Sequence, residues 1–304
     1  MTPTNPLRIS VVVPTRNRPD HAAACARELL ACGGFDQVVF VDQSDDEKTE
    51  AVLTSLGDSR VRCIRSSLRG ATNGRNVGIE SSKGDIIAFT DDDCRVPRDW
   101  IARILDIFGS DPEAAVVCGR VRVPPEIQER GFAIGFEPHV REWQHRFPPP
   151  ETDWGITANL SARRSVFDRV GKFDAFLGPG APLLCGEEPD FLFRVLKAGM
   201  KVVNAKEVVV DHLGARAFGP ESTELWRTYG TGTAAALFKH IRLGDRDAAG
   251  LYLQHLAVMG QVMVSNLVRG RRPIGIRYTL AFLSGAIASF KFRVDRDQRL
   301  YESH

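Results

Sequence analysis

The chain has 304 residues, 43% of them hydrophobic and 26% charged, with a formal net charge of +2. That apolar fraction supports a packed core in one large domain, or in one domain with an appendage. The near balance of charge excludes wholesale nucleic-acid binding and an acidic disordered chain. Six cysteines (Cys25, Cys32, Cys63, Cys94, Cys118, Cys185) lack CxxC spacing, so neither a disulfide framework nor a zinc site is expected. The N-terminal MTPTNPLRIS has no basic region leading into a long apolar stretch, and a cytoplasmic protein with reduced thiols is the expectation.

Ile9 to Val13 is a β-branched run closed by Pro14 and reads as a buried strand; the alanine- and leucine-rich residues 20–32 follow as a helix. The pattern repeats with a strand at Gln37 to Val41, a helix at Glu47 to Leu56, a short strand at Arg62 to Arg65 and a helix at Asn73 to Ser82. Such alternation predicts an α/β fold with a doubly wound, mostly parallel sheet flanked by helices. Asp85 to Thr90 is the next buried strand, and it delivers Asp91, Asp92 and Asp93 at its C-terminal end, where open α/β sheets bind ligands.

A helix at Trp100 to Phe108 and a strand at Ala114 to Gly119 precede residues 123–153, a stretch rich in proline, aromatic and basic residues that reads as an irregular insertion. Order resumes with a strand near Ile156 to Ser161, helices near Arg164 to Val170 and Asp190 to Ala198, and a strand at Lys201 to Val210. The expected division is a catalytic domain over 1–216, its halves meeting near residues 122 and 123, and a helical C-terminal appendage over 217–304. Between Asp247 and Asp295 the appendage carries six basic residues (Arg269, Arg271, Arg272, Arg277, Lys291, Arg293) and no acidic one. Polar residues interrupt Ala248 to Val268, and Tyr278 to Phe290 falls short of the roughly 17 to 25 residues of a spanning helix, so no transmembrane helix is expected. A cationic, apolar helical pair over 248–293 suits contact with an anionic membrane surface; it equally suits a helical lid or a dimer interface.

Three adjacent carboxylates repel one another unless a cation offsets them. Hard cations such as Mg2+ and Mn2+ do this while bridging to substrate phosphates, so Asp91 and Asp93 are candidates for a metal-diphosphate site. Alternatively the triad is a solvated acidic turn. Asp42, ending the second strand in VDQSDD, can accept hydrogen bonds from a base or ribose, or merely begin a helix. In GATNGRNVGI, Gly70 to Ile79, glycines permit close backbone approach while Arg75 and Asn76 offer donors at a helix start.

Taken together, PTRNR, VDQSDD, GATNGRNVGI and FTDDDC occur in the order and approximate spacing of the family 2 glycosyltransferases with the GT-A fold, which this sequence resembles. The resemblance continues through ANLSARRSVFDRVGKFDAFLG (158–178), GEEPDFLFRVLKAG (186–199) and VVVDHLG (208–214), about two thirds of the chain. It implies that Pro14, Thr15 and Arg16 line a nucleotide pocket, that Asp42 contacts the base and that Arg75 and Asn76 lie over the nucleotide. It further implies that Asp91 touches the ribose or the metal, with Asp92 beside it, and that Asp93 is the direct ligand of Mn2+ or Mg2+, with His212 as a second. The family's general base is the second acid of a Gly-Glu-Asp motif, which falls on Glu188 in GEEPDF; glutamate departs from the pattern, so Glu187 and Asp190 stay candidates. Arg163 and Arg164 resemble the wall between donor and acceptor, and Trp154 suits stacking on a sugar ring or core packing.

The function implied is inverting transfer of a sugar from a nucleoside-diphosphate sugar to a saccharide or lipid-linked acceptor, in cell-surface polysaccharide or glycolipid synthesis on the inner side of the plasma membrane. The rival readings are a nucleotidyltransferase on a similar sheet and a non-catalytic nucleotide-sugar-binding protein. The first normally carries a glycine-rich phosphate loop after strand one, where this chain has PTRNRPD.

Overall fold

A computed structural model of the protein describes residues 6–149, 154–270 and 275–303, with the backbone alone at 220–223. The N-terminal half runs β1 (Ile9–Thr15), α1 (Pro19–Cys32), β2 (Gln37–Asp42), α2 (Lys48–Thr54), β3 (Val61–Arg65), α3 (Ala71–Ser81) and β4 (Ile86–Phe89). All seven residues of β1 are buried, and they alternate between two cores. Ile9, Val11 and Val13 face the layer of α1 and α4 (Trp100–Ser110), whereas Val12 joins Ile87 and Phe89 on the other face. Burial on both faces explains the uninterrupted apolar runs from which these strands were legible.

The sheet order is β3-β2-β1-β4-β8-β6-β9-β5, with β7 also on β9. Here β5 is Cys94–Arg95, β6 is Ala114–Arg122, β7 is Glu142–Trp143, β8 is Leu160–Arg163 and β9 is Lys201–His212. Six strands run one way, as the alternation predicts; β5, β7 and β8 run against them. The insertion is less irregular than expected, since it holds the short helix α5 (Pro125–Gln128) and β7 and pairs Val121 with Phe136 and Phe132 with Arg216. Residues 150–153, within that stretch, lie outside the described residues. Helices α6 (Arg164–Val170) and α7 (Glu187–Lys197) cover one face.

The C-terminal region comprises α8 (Pro220–Arg242), α9 (Arg246–Val268), α10 (Ile276–Ala288) and a small hairpin of β10 (Arg293–Val294) and β11 (Tyr301–Glu302). Packing runs across the boundary expected near residue 216: Ala234, Leu237, Leu251 and Phe282 belong to the same core as β4, α6 and α7. A buried polar cluster reinforces this seam. Lys239 Nζ on α8 lies 2.6 Å from Asp174 Oδ2 and 2.6 Å from Asp190 Oδ1, His240 Nε2 donates to Asp190 Oδ1 at 2.8 Å, and Tyr301 N donates to Asp174 Oδ2 at 2.9 Å. Removing one member of such a cluster strands its partner's charge and costs about 3–5 kcal/mol.

Two appendage histidines are buried as neutral rings. Burial pushes both His240 and His255 down to about 4, against the pull of Asp190 on His240. Because the unfolded chain binds these protons more readily, each histidine's contribution is fully present above its unfolded pKa and is lost as pH falls from about 6.5 toward 4. His255 stacks on Phe282 at 4.4 Å and hydrogen-bonds Tyr278, so a His255→Phe variant keeps the stack while deleting the titration. Urea unfolding across that pH range should show the wild type losing stability faster than the variant, by up to about 1.4 kcal/mol per pH unit. Parallel pH profiles would contradict this.

Candidate active site

Parallel pairing of β1 with β4 brings Thr15 beside the acidic triad that follows β4. The three carboxylates then diverge. Asp92 turns back into the fold: Thr15 Oγ1 donates to its Oδ2 at 2.6 Å and Arg18 Nη1 to its Oδ1 at 3.1 Å, while burial raises its pKa. Asp93 faces the end of β9, because Cys94 pairs with His212 in the sheet and Leu213 N donates to Asp93 O. His212 Nε2 lies 3.5 Å from Asp93 Oδ1, and Arg18 Nη1 lies 3.2 Å from Asp93 Oδ2. Burial opposes the charge on Asp93, yet His212 and Arg18 outweigh it and hold the carboxyl below its ordinary range. For His212 burial likewise disfavours the cation, and Asp93 prevails and raises its pKa.

Asp91 is claimed by Arg75, whose Nη2 donates to Asp91 Oδ1 at 2.8 Å and whose Nη1 reaches Glu187 Oε1 at 3.4 Å. Arg75 is 3% exposed, so a fully buried guanidinium joins the strand-end acids to the start of α7. That helix begins at Glu187, three residues before the start expected from sequence, because Gly186 at its N-cap is left-handed (φ +98°) and turns the chain abruptly. A Cβ on Gly186 would also lie 2.6 Å from Gly232 O, where α8 presses on the loop. Glu187 and Glu188 therefore occupy the first helical turn, where the helix dipole favours acids.

The three candidate bases have different surroundings. Glu188 is half-buried and accepts from Thr157 N at 3.1 Å and Thr157 Oγ1 at 2.9 Å, both at Oε1. Glu187 is 3% exposed; burial, then Glu188, push it up to about 8, and its Oε2 has no hydrogen-bond partner. Asp190 is enclosed by Lys239, His240 and Arg194, and although burial disfavours its charge, the two cations and the hydrogen bond from His240 hold it far below the usual carboxylate range. It belongs to the seam with the C-terminal helices and has no free oxygen for substrate.

On the nucleotide side, Asp42 is buried at the end of β2, its Oδ1 accepting from Ser44 N at 2.9 Å and its Oδ2 unpartnered. Beside it Ser44, Asp45, Arg65, Ser66, Ser67 and Arg69 line a cleft of about 370 Å³. Pro14 is buried against α3 and Arg16 is exposed, 3.8 Å from Asp45. Asn76 is not turned to a nucleotide: its amide both donates to Phe173 O at 2.8 Å and accepts from Phe173 N at 3.1 Å, which ties α3 to the loop before α7. Thr15 is likewise committed to Asp92.

Of the acceptor-side candidates, the two arginines bind backbone carbonyls, and Trp154 follows the core-packing alternative. Antiparallel β8 places Arg163 opposite Ile86, at the far end of β4 from the triad. Arg163 donates to the carbonyls of Ala114 and Phe108, and Arg164 to that of Gly84, so both tie down strand and helix ends. Trp154 packs in the core and donates to Pro149 O at 3.1 Å. Sequence reasoning passed over a different aromatic group. Phe132 pairs through its backbone with Arg216, two residues after Gly214, and its ring lies 5.9 Å from that of Trp226 on α8. Trp226 is 52% exposed and adjoins Tyr229, whose hydroxyl is pushed up by burial, then by Cys185, Glu188 and Glu187. Its only sequence signal is an isolated tryptophan in a helix, which periodicity assigns to no site.

Residues 10–173, more than half of the chain, match the sequence profile described as Glycosyl transferase family 2. The chain belongs to that family. Its relatives include a glucosyl-dolichyl phosphate glucuronosyltransferase of Haloferax volcanii, 27% identical over 58% of this chain and 58% of the relative. The succinoglycan biosynthesis protein ExoM of Rhizobium meliloti is 28% identical over 68% of this chain and 67% of that protein. Among solved structures, a mannosyltransferase from Pyrobaculum calidifontis in complex with GDP-Man and Mn2+ superposes with a TM-score of 0.61 at 16% identity, covering 95% of this chain and 87% of the other. The fold is GT-A, as the sequence motifs implied.

The donor set fits a divalent cation. Asp93, Cys94 and His212 have ligand atoms within 4.8 Å of one another. A carbonyl accepts only, so the 3.0 Å contact of His212 Nδ1 with Ile134 O places a proton on Nδ1 and makes Nε2, which faces Asp93, the nitrogen that would give up its proton to a metal. Burial pushes the Cys94 thiol well up, and a protonated soft ligand suits Mg2+ or Mn2+ poorly, leaving the carboxylate and imidazole as the better donors. Gly214 closes the pair from above, since a Cβ there would lie 2.6 Å from Asp93 Oδ2 and 3.1 Å from His212 Nε2. A Gly214→Ala variant should bind Mn2+ roughly tenfold more weakly by electron paramagnetic resonance titration, with its unfolding curve unmoved. Unchanged affinity would remove Gly214 and Asp93 from the metal site.

Proposed function

We propose that the chain is an inverting glycosyltransferase that moves a sugar from a nucleoside-diphosphate sugar to the hydroxyl of a saccharide or lipid-linked acceptor, in polysaccharide or glycolipid synthesis. The observation that carries this reading is the buried Arg75, which joins the strand-end acids of a candidate diphosphate site to a helix start bearing a half-buried carboxylate, Glu188. Relatives named for glycan and lipid-linked sugar transfer support the acceptor class.

Asp93 and His212, with Asp91 beside them, would hold Mn2+ or Mg2+, which supplies charge compensation for a departing diphosphate. Asp42, with an unsatisfied buried oxygen at the edge of the serine- and arginine-lined cleft, would receive the base or ribose. Glu188 is the proposed base: it takes the proton of the acceptor hydroxyl as that oxygen bonds to the anomeric carbon and the nucleoside diphosphate leaves from the opposite side. Thr157 fixes one oxygen of Glu188 with two hydrogen bonds. Glu187, pushed up to about 8, keeps its proton near neutral pH and so competes poorly for that role. Phe132 and Trp226 would stack on the apolar face of an acceptor sugar. The nucleotidyltransferase reading is weakened by the absence of glycine in PTRNRPD, and the non-catalytic reading by the Asp93–His212 pair and Glu188.

Release of nucleoside diphosphate from a panel of sugar nucleotides with Mn2+ or Mg2+ tests the class; no release from any donor would end the enzyme reading. With the donor found, Asp93→Ala should abolish metal-dependent turnover. Glu188→Gln should bind donor normally by calorimetry and lose roughly 10²- to 10⁴-fold in transfer; near-normal transfer would reassign the base. Trp226→Ala should raise the acceptor KM several-fold, consistent with the roughly 0.5–1.5 kcal/mol of a ring contact, and leave donor KM unchanged. An unchanged acceptor KM would move the acceptor elsewhere.

A further inference from the structure

Thirteen large hydrophobic side chains are exposed among the described residues, and ten lie between Leu253 and Phe290. On α10 they fall at Ile276, Leu280, Leu283 and Ile287, spacings of four, three and four that make one stripe along the helix. The opposite stripe, Ala281, Phe282, Gly285 and Ala286, is buried, and α10 packs against α8. On α9 no residue from 256 to 268 is fully buried, and along these roughly 20 Å of helix Val262, Val264, Leu267 and Val268 are exposed; Val268 is 82% exposed. Soluble proteins seldom expose so continuous an apolar surface without a partner.

Charge selects the partner. Arg269, Arg277, Lys291 and Arg293 are exposed around this surface, and no carboxylate pairs with them among the described residues. From 248 to 294 the sequence has no acidic residue at all; Arg271 and Arg272 lie outside the described residues. A two-fold contact with a second copy would bring cations against cations with no acid to offset them. A bilayer with anionic headgroups accepts both features, apolar side chains entering the acyl boundary and arginines meeting phosphates. No helix among the described residues is long and apolar enough to cross a membrane, which fits a helix pair lying on the surface.

We propose that the exposed face of α9 and α10 docks the protein onto an anionic lipid bilayer. Helix α8 lies between α10 and the loop of the candidate base. Gly230 of α8 meets Tyr278 O on α10, and Gly232, two residues on, meets Cys185 O in the loop that leads to Glu188.

Vesicle co-sedimentation tests the docking without any assay of sugar transfer, so its outcome stands apart from the proposed chemistry. The full chain should sediment with vesicles of phosphatidylcholine mixed with phosphatidylglycerol, weakly or not at all with phosphatidylcholine alone, and less as salt rises. A Leu280→Ser, Ile287→Ser double variant should lose binding at unchanged thermal stability, and Arg277→Gln should weaken it about fivefold. Failure to sediment with either vesicle overturns the proposal. So does equal binding to both vesicles, or a dimer by light scattering that the double variant dissolves while vesicle binding is absent.

Discussion

The fold brings three adjacent carboxylates to the end of one buried strand, and their mutual repulsion is the constraint around which the site is arranged. Each acid is answered by different groups. Asp91 takes the buried Arg75, Asp92 takes Thr15 and Arg18, and Asp93 takes His212 with a share of Arg18. Only the last pairing is made by a group that can exchange a proton for a metal, since His212 already spends Nδ1 on Ile134. The triad therefore divides into an acid turned into the fold, an acid tied to the start of α7, and an acid paired with a histidine, the one proposed for the metal site.

A second set of acids, at the start of α7, is sorted in the same way. Asp190 is consumed by Lys239 and His240 of α8 and its own Arg194, Glu187 is buried beside Arg75 with one oxygen unpaired, and Glu188 is half-buried and held by Thr157. The C-terminal helices matter to this arrangement. Lys239 and His240 anchor the helix through Asp190, and Gly232 supports Cys185 and Gly186 from behind. The region that appears in sequence as an appendage is thus continuous with the wall of the site.

The parallel half of the sheet was legible because strands buried on both faces are written as apolar runs, and the triad's position followed from the end of one such run. What was lost was direction. Read as another forward strand, the segment before Arg163 would end near the site; as antiparallel β8 it carries Arg163 and Arg164 to the opposite end, where they cap carbonyls. The bond from Asn76 to Phe173 was hidden for a related reason, since a polar side chain at a helix start looks the same whether it meets a ligand or a distant backbone. The two-residue strands β5 and β7 have no periodicity to detect, although β5 is what aligns Cys94 with His212. Trp226 gains its neighbour only through the fold, which sets its ring 5.9 Å from that of Phe132, 94 residues earlier.

The division of labour among the three acids is the central claim, and Mn2+ affinity measured for Asp91→Asn, Asp92→Asn and Asp93→Asn tests it most directly. The account predicts that Asp93→Asn loses the metal, that Asp91→Asn weakens it, and that Asp92→Asn binds it as the wild type does. Retention of full affinity by Asp93→Asn, or its loss in Asp92→Asn at intact fold, would contradict the account.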